Sequence, residues 1–335
     1  MAPMKNKRLL KIIIISASVF TLFYCTSQIF CLFFAGKTFR RVNPIYAPDS
    51  PYFQTDRKDN YETESPLEIF YQSEKDRCYP ILKASSETVS IKSYDGLKLN
   101  AYLAKTEDKD GKSSSHKYVL LMHGFRDSPK IISPYALHFY EKGFNILVPG
   151  QRGHGWSEGN LVDMSAFSPN DVKSWVEYIT SCDSQAEIML FGISMGAATV
   201  MRASALDLPS SVKACIEDCG FTSIWDEFAW QLKHLYHLPV HPLLDIYNHY
   251  TKRKLGFDLK KISALQAVTE TKVPILFIHG SEDTFVPFYM QDKLYDAAAC
   301  PKEKLVIEGA PHARSLFTNP LLYWDSIDAF AEKYF

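Results

Sequence analysis

The chain has 335 residues, 46% hydrophobic and 14% aromatic, enough to build one large core or two ordinary ones. Its formal net charge of -1 excludes any global electrostatic argument for nucleic acid or another polyanion as partner. The seven cysteines are odd in number, irregularly spaced and without a Cys-x-x-Cys pair, so neither a zinc ribbon nor a disulfide framework is indicated.

The amino terminus opens with a short basic tail, residues 1–11, carrying Lys5, Lys7, Arg8 and Lys11. No charge follows from residue 12 to residue 36, and a helix needs roughly 20 apolar residues to cross a bilayer. A cleaved signal peptide competes, but its apolar core would run only about 7–15 residues and end at a small-x-small site. Here bulky Phe33 and Phe34 precede Ala35-Gly36. A lipoprotein reading of Cys25 meets Phe23 and Tyr24 where small residues belong. The expectation is one uncleaved transmembrane helix over 12–36, with the membrane as partner. Charge bias across it is small; the basic tail favours an extracytoplasmic domain, while the free cysteines argue the other way. Residues 37–87 are rich in Pro, Tyr and charge and read as a stalk or connector, with a short helix at Leu67–Tyr71.

From residue 88 the pattern changes. Thr88–Ile91 and Leu97–Leu103 alternate apolar and polar residues around Asp95-Gly96, a hairpin signal. Short unalternating apolar runs follow at 118–122, 145–149, 188–191, 212–217, 275–278 and 304–307. Helical stretches separate them at 134–142, up to 180 with a cap at Ser168 or Asn170, at 197–206, at 286–299 and at 320–334. Buried runs alternating with helices imply parallel strands covered on both faces. The expected fold class is α/β, a mostly parallel sheet flanked by helices. Ligands bind such a sheet beyond the carboxyl ends of its strands.

Three chemistry-bearing residues fall there. Gly192-Ile193-Ser194-Met195-Gly196 sits between a strand and a helix, the setting in which Gly-x-Ser-x-Gly presents a nucleophile. A serine hydroxyl needs a base, and the base needs an orienting carboxylate. His312, after the last strand, is the candidate base, and Asp283, after the preceding strand, the candidate acid. Glu282 and Asp218 are rivals for the acid. Two backbone N–H groups should stabilise the oxyanion, those of Met195 and Phe125; such donors are worth roughly 3–4 kcal/mol each in the transition state. His123, His154 and His279 read as loop-shaping residues. His234, His237 and His241 have helical spacing, but Pro239 interrupts it and no carboxylate or thiol completes a metal set. Nothing calls for a cofactor or a metal.

These stretches together resemble the α/β-hydrolase superfamily over residues 88–335. They comprise His123-Gly124-Phe125, Arg152-Gly153-His154-Gly155-Trp156-Ser157, Gly192–Gly196, His279-Gly280-Ser281-Glu282-Asp283 with Val286-Pro287, and Pro311-His312-Ala313. The likeness is strongest to bacterial serine aminopeptidase-like or esterase-like members with an amino-terminal membrane anchor. It implies the α/β-hydrolase fold and serine-hydrolase activity. One departure is Gly150, where many relatives carry aspartate two residues before the Arg. Residues 221–262 occupy the place of a variable lid and hold Phe221, Trp225, Phe228, Trp230, Tyr236 and Tyr247. These aromatics fit either an acyl group above the site or plain packing onto the sheet. The expected activity is cleavage of carboxylic esters through an acyl-enzyme on Ser194. A peptidase or amidase with the same residues, taking short peptides, and a non-catalytic hydrolase-fold binding module are the alternatives.

Overall fold

The computed structural model describes Ser18 and residues 24–41, 65–107 and 115–335. Eight strands form one sheet in the order β1-β2-β4-β3-β5-β6-β7-β8. The strands are β1 (Glu87–Lys92), β2 (Lys98–Ala104), β3 (Lys117–Met122), β4 (Asn145–Pro149), β5 (Glu187–Ile193), β6 (Val212–Asp218), β7 (Ile275–Gly280) and β8 (Lys302–Ile307). The expected hairpin pairs β1 with β2 antiparallel, and β2 continues antiparallel onto β4. All other pairings are parallel. Successive side chains of a strand point to opposite faces. Leu120 and Met122 therefore enter one core cluster, while Val119 and Leu121 enter the other.

One face is covered by α1 (Pro66–Ala84), α2 (Pro129–Glu141) and, at the carboxyl end of the chain, α10 (Pro320–Tyr334). The other is covered by α3 (Ser168–Cys182), α4 (Met195–Ser204), α7 (Ala264–Val268) and α8 (Tyr289–Ala297). The segment expected as a lid, 221–262, carries α5 (Ile224–His234) and α6 (Leu243–Lys254), and a short α9 (Ser315–Thr318) follows His312.

Two expectations change near the amino terminus. The short helix expected at 67–71 is part of a helix of 19 residues, α1. The Ser65 hydroxyl accepts from Glu68 N, and Pro66 sits at the first helical position, both strong start signals. The helix buries Tyr71, Cys78, Tyr79 and Leu82 against the domain.

The second concerns the expected transmembrane helix. Most of 12–23 lies outside the described residues. Residues 24–38 are helical, and among the described residues no helix is long and apolar enough to cross a membrane. The 24–38 helix is docked on the protein: Cys31 is fully buried and Phe34 meets Tyr236 at 5.3 Å between ring centroids. Phe39 is buried between Tyr247 and Phe257, and Arg41 donates to the carbonyls of Gly155, Ser157 and Gly159. Reading the segment from hydropathy alone could not show that one of its faces belongs to the lid.

The start of α3 also differs in detail. Neither Ser168 nor Asn170 caps it. The Asp163 carboxylate accepts from the N–H groups of Phe167 and Ser168, both at 2.6 Å. A loop residue folding back can serve orphan helix donors as well as the adjacent residue does.

Candidate active site

Ser194, Asp283, His312 and Phe125 follow the carboxyl ends of β5, β7, β8 and β3. Strand order reverses beside β3, the place where open α/β sheets take ligands. Ser194 occupies a turn with φ 54° and ψ -115°, a conformation that costs a non-glycine residue on the order of 1–3 kcal/mol. The surroundings hold it: Ser194 N donates to Asp218 O at 2.8 Å, and Ala198 N donates to Ser194 O at 3.0 Å. Flanking glycines are required by contact. A Cβ on Gly196 would lie 2.1 Å from Met122 O, and one on Gly192 would lie 2.3 Å from Gly196 O.

The structure brings the three expected side chains into one hydrogen-bonded chain. His312 Nε2 lies 2.9 Å from Ser194 Oγ, and His312 Nδ1 lies 2.6 Å from Asp283 Oδ2. With the proton on Nδ1, Nε2 is left to accept from the serine hydroxyl. The other oxygen of Asp283 accepts from Phe285 N and Val286 N, both at 2.9 Å. Burial works against ionisation of Asp283, but hydrogen bonds from His279 and His312 overcome it and hold the carboxyl down at about 2.

The rivals for the acid are elsewhere. Glu282 is exposed. Asp218 is buried and accepts from Tyr323 Oη at 2.9 Å and from Ser315 Oγ at 3.4 Å. Burial lifts Asp218 to about 6 against those hydrogen bonds.

Ser194 and His312 open onto a cleft of about 230 Å³. Phe125, Ile131, Tyr135, Ile193 and Phe285 give it apolar walls, and Asp127 and Arg314 bring charge to its edge. Phe285 covers the imidazole, ring centroids 5.0 Å apart. Met195 is the first residue of α4, so its N–H has no acceptor within the helix. Phe125 lines the same cleft from the loop after β3.

The model of the serine aminopeptidase S33 family matches residues 113–255, a stretch that holds Ser194 and ends before Asp283. The uncharacterised protein YqkD of Bacillus subtilis is 26% identical over 216 residues, covering 64% of this chain and 71% of that one. A lysophosphatidylserine lipase of Danio rerio is 26% identical over 204 residues, covering 56% of this chain and 49% of its own. Among solved structures, an esterase of Pyrococcus furiosus superposes with a TM-score of 0.60 at 21% identity, covering 76% of this chain and 93% of its own. The chain has the α/β-hydrolase fold and is similar to members of that superfamily.

Several residues that matter to the site carry no signal in the sequence. His279, expected only to shape its loop, donates from Nε2 to Val286 O at 2.9 Å and lies 3.2 Å from Asp283 Oδ2. Burial opposes its protonation, but Asp283 raises it above the usual histidine value. Two fully buried carboxyls flank this pair. Burial pushes both Glu217, at the end of β6, and Glu227, on α5, up to about 8. Held neutral near pH 7, they add no charge beside Asp283. Gly220 N donates to Glu217 at 2.9 Å, and the Gln231 side chain donates to Glu227.

The remaining histidines take structural places. His123 accepts from Gln151 N at 3.1 Å, and burial depresses it to about 3. His154 is likewise buried and falls to about 4. His234 stacks on Trp230 at 3.6 Å, and His241 meets Asp245. Among the described residues, the metal-capable cluster is Cys219, Asp283 and His312, and two of its members are already bonded to one another.

The departure at Gly150 has a steric cause. A Cβ there would meet Trp156 Nε1 at 2.3 Å. Arg152 is anchored from other elements: its guanidinium pairs with Asp171 at 2.6 Å and Asp95 at 2.8 Å.

Proposed function

We propose that this chain is an α/β-hydrolase superfamily member that acts as a serine hydrolase on carboxylic esters. Ser194 attacks the acyl carbon while His312 takes its proton, and Asp283 holds the imidazole tautomer and stabilises the imidazolium. The N–H groups of Met195 and Phe125 receive the oxyanion. His312 then protonates the leaving alcohol, and water, activated by the same imidazole, releases the acid. The observation that carries this reading is the unbroken relay from Asp283 through His312 to Ser194, at 2.6 and 2.9 Å, at the edge of an apolar cleft. The esterase and lipase activities named for two of the similar proteins agree with it. A fluorophosphonate probe should label the folded wild type at Ser194, and Ser194→Ala should abolish labelling. Folded wild-type protein that stays unlabelled would sink the proposal.

A peptidase reading is favoured by the matched family's description and by Asp127, a carboxylate at the cleft edge. Turnover of p-nitrophenyl acyl esters against aminoacyl anilides separates the two; reaction of esters alone removes the peptidase. The proposal includes a place at a membrane, supported by the uncharged run over 12–36 and the basic tail before it. Protease accessibility of the domain in intact cells reports the side it faces, expected to be extracytoplasmic.

A further inference from the structure

The lid and the amino-terminal helix share an outer surface that the reaction does not use. On the 24–38 helix, Phe30, Cys31 and Phe34 face the protein. The opposite stripe is apolar and bare: Ile29 is 66% exposed, Leu32 59% and Phe33 53%. These lie at helical spacings i, i+3 and i+4, so they form one face. At the lid tip, just past the end of α5, Leu235 and Tyr236 are 49% and 45% exposed. Tyr236 meets Phe34 at 5.3 Å, and Phe34 meets Phe33 at 5.6 Å, so the two surfaces are continuous.

The surface also reaches the active site. From the lid tip, His234 stacks on Trp230, and Trp230 meets Tyr289 at 5.8 Å. The Trp230 indole donates to Thr284 O at 3.1 Å, next to the exposed Phe285 that covers His312. At the other end of the helix, Arg126, one residue past Phe125, donates to Lys37 O at 3.2 Å. Cations border the band. Lys37 sits over the Phe33 ring at 4.8 Å, Lys293 sits over Tyr289 at 4.9 Å, and Lys233 is exposed beside the tip.

We propose that this band is a lipid-binding face, with an anionic bilayer leaflet as its occupant. Two observations select that partner. The bare apolar stripe lies in the second half of an uncharged sequence, residues 12–36, that starts with Ile12-Ile13-Ile14-Ile15. Its border is cationic, the arrangement that favours anionic headgroups around an apolar insertion. A lid seated this way places Phe285 and the mouth of the cleft at the leaflet. The substrate class is therefore an ester lipid whose acyl chain passes from the bilayer along the band to Ser194. The substrate assignment rests on the serine-hydrolase reading above; the lipid face does not.

The two are tested separately. Leu235→Trp in the full chain, reconstituted in phosphatidylglycerol vesicles with brominated acyl chains, reports insertion without any need for activity. Quenching should exceed that of the parent protein with its five tryptophans, and Lys233→Glu in the same background should reduce it. An added indole that is not quenched overturns the lipid face. For the substrate, Leu235→Ser with Tyr236→Ser should lower hydrolysis of a long-chain monoacylglycerol in those vesicles at least tenfold. Turnover of soluble p-nitrophenyl butyrate should stay within about twofold. Equal loss on both substrates, or loss on neither, overturns the substrate assignment, whereas a wild type inert toward butyrate and fluorophosphonate overturns the catalytic reading instead.

Discussion

Replacing Asp283 by Asn tests the relay at its least exposed member. The Asp283 side chain has no exposed surface, and both of its oxygens are engaged. Oδ1 accepts from Phe285 N and Val286 N, and Oδ2 faces His312 Nδ1 at 2.6 Å and His279 Nε2 at 3.2 Å. In Asp283→Asn the carbonyl oxygen can keep the two backbone donors, which turns the amide NH2 toward the histidines. His312 must then accept at Nδ1 and carry its proton on Nε2, the nitrogen beside Ser194. The base is lost through the wrong tautomer while the backbone is unmoved. A tautomer error of this kind lowers kcat about 10⁴-fold, equivalent to about 5.4 kcal/mol in the barrier. Stability also falls. The carboxyl is held at about 2 against an ordinary 3.8, so on the order of 2 kcal/mol of linked stability is present above pH 4 and is lost as pH falls toward 2. The variant should lack that acid-range dependence. The assay is kcat on p-nitrophenyl butyrate with thermal melts between pH 2 and 6. Asp218→Asn is the control, because Asp218 bonds Tyr323 and Ser315 rather than His312; its kcat should stay within about threefold. A folded Asp283→Asn protein losing less than tenfold, or equal loss in Asp218→Asn, would refute the assignment.

Gly196→Ala should give little soluble protein, since its Cβ would sit 2.1 Å from Met122 O; a normal yield with an unchanged melt would contradict the packing of the turn. Glu217→Gln addresses a buried acid raised to about 8 from an ordinary 4.5. The native carboxyl's contribution is fully present below pH 4.5 and is lost as pH rises to 8, so Gln should gain stability relative to wild type across that window. A melt difference independent of pH would count against it. Glu68→Gln weakens the forked pair with Arg314 at 2.6 and 3.2 Å, which ties α1 to the cleft beneath the Tyr71 ring. The pair is partly exposed, so a loss of about 1 kcal/mol is expected. KM should rise about threefold at constant kcat, and an unchanged KM would separate α1 from the cleft.

The sheet was legible because buried parallel strands write themselves as short apolar runs. Strands β3 to β8 each lie within a few residues of their expected spans. The candidate residues Ser194, Asp283 and His312 were legible for a related reason: each follows an apolar run, and in such sheets chemistry clusters beyond the strands' carboxyl ends. What stayed hidden is long-range. Nothing local in Glu217 or Glu227 marks a carboxyl that burial keeps protonated, because desolvation is a property of the folded neighbourhood. His279 looked like a loop residue because its partner is Asp283 Oδ2, which its sequence context does not name. Gly150 read as a departure from the family, and only the Trp156 indole explains it. Hydropathy suggested a membrane span over 12–36 but could not show that the helix over 24–38 has one face packed on the protein and another exposed.

That division changes how the amino-terminal segment should be understood. A stalk would leave the domain indifferent to where the chain is fixed. Here Phe39 is buried among aromatics of the 221–262 segment, Arg41 holds the carbonyls of the 155–159 loop, and Lys37 O accepts from Arg126, beside Phe125. The last of these contacts reaches the loop that lines the cleft through Phe125 and Asp127. The rigid sheet positions Ser194, His312 and Asp283, whereas the walls of the cleft are tied to residues far earlier in the chain. Perturbing 30–41 should therefore alter substrate selection before it alters chemistry. Phe39→Ala, which empties the junction between Tyr247 and Phe257, should shift KM and chain-length preference while fluorophosphonate labelling of Ser194 persists. Loss of labelling in folded Phe39→Ala protein would mean that the segment supports the nucleophile turn itself.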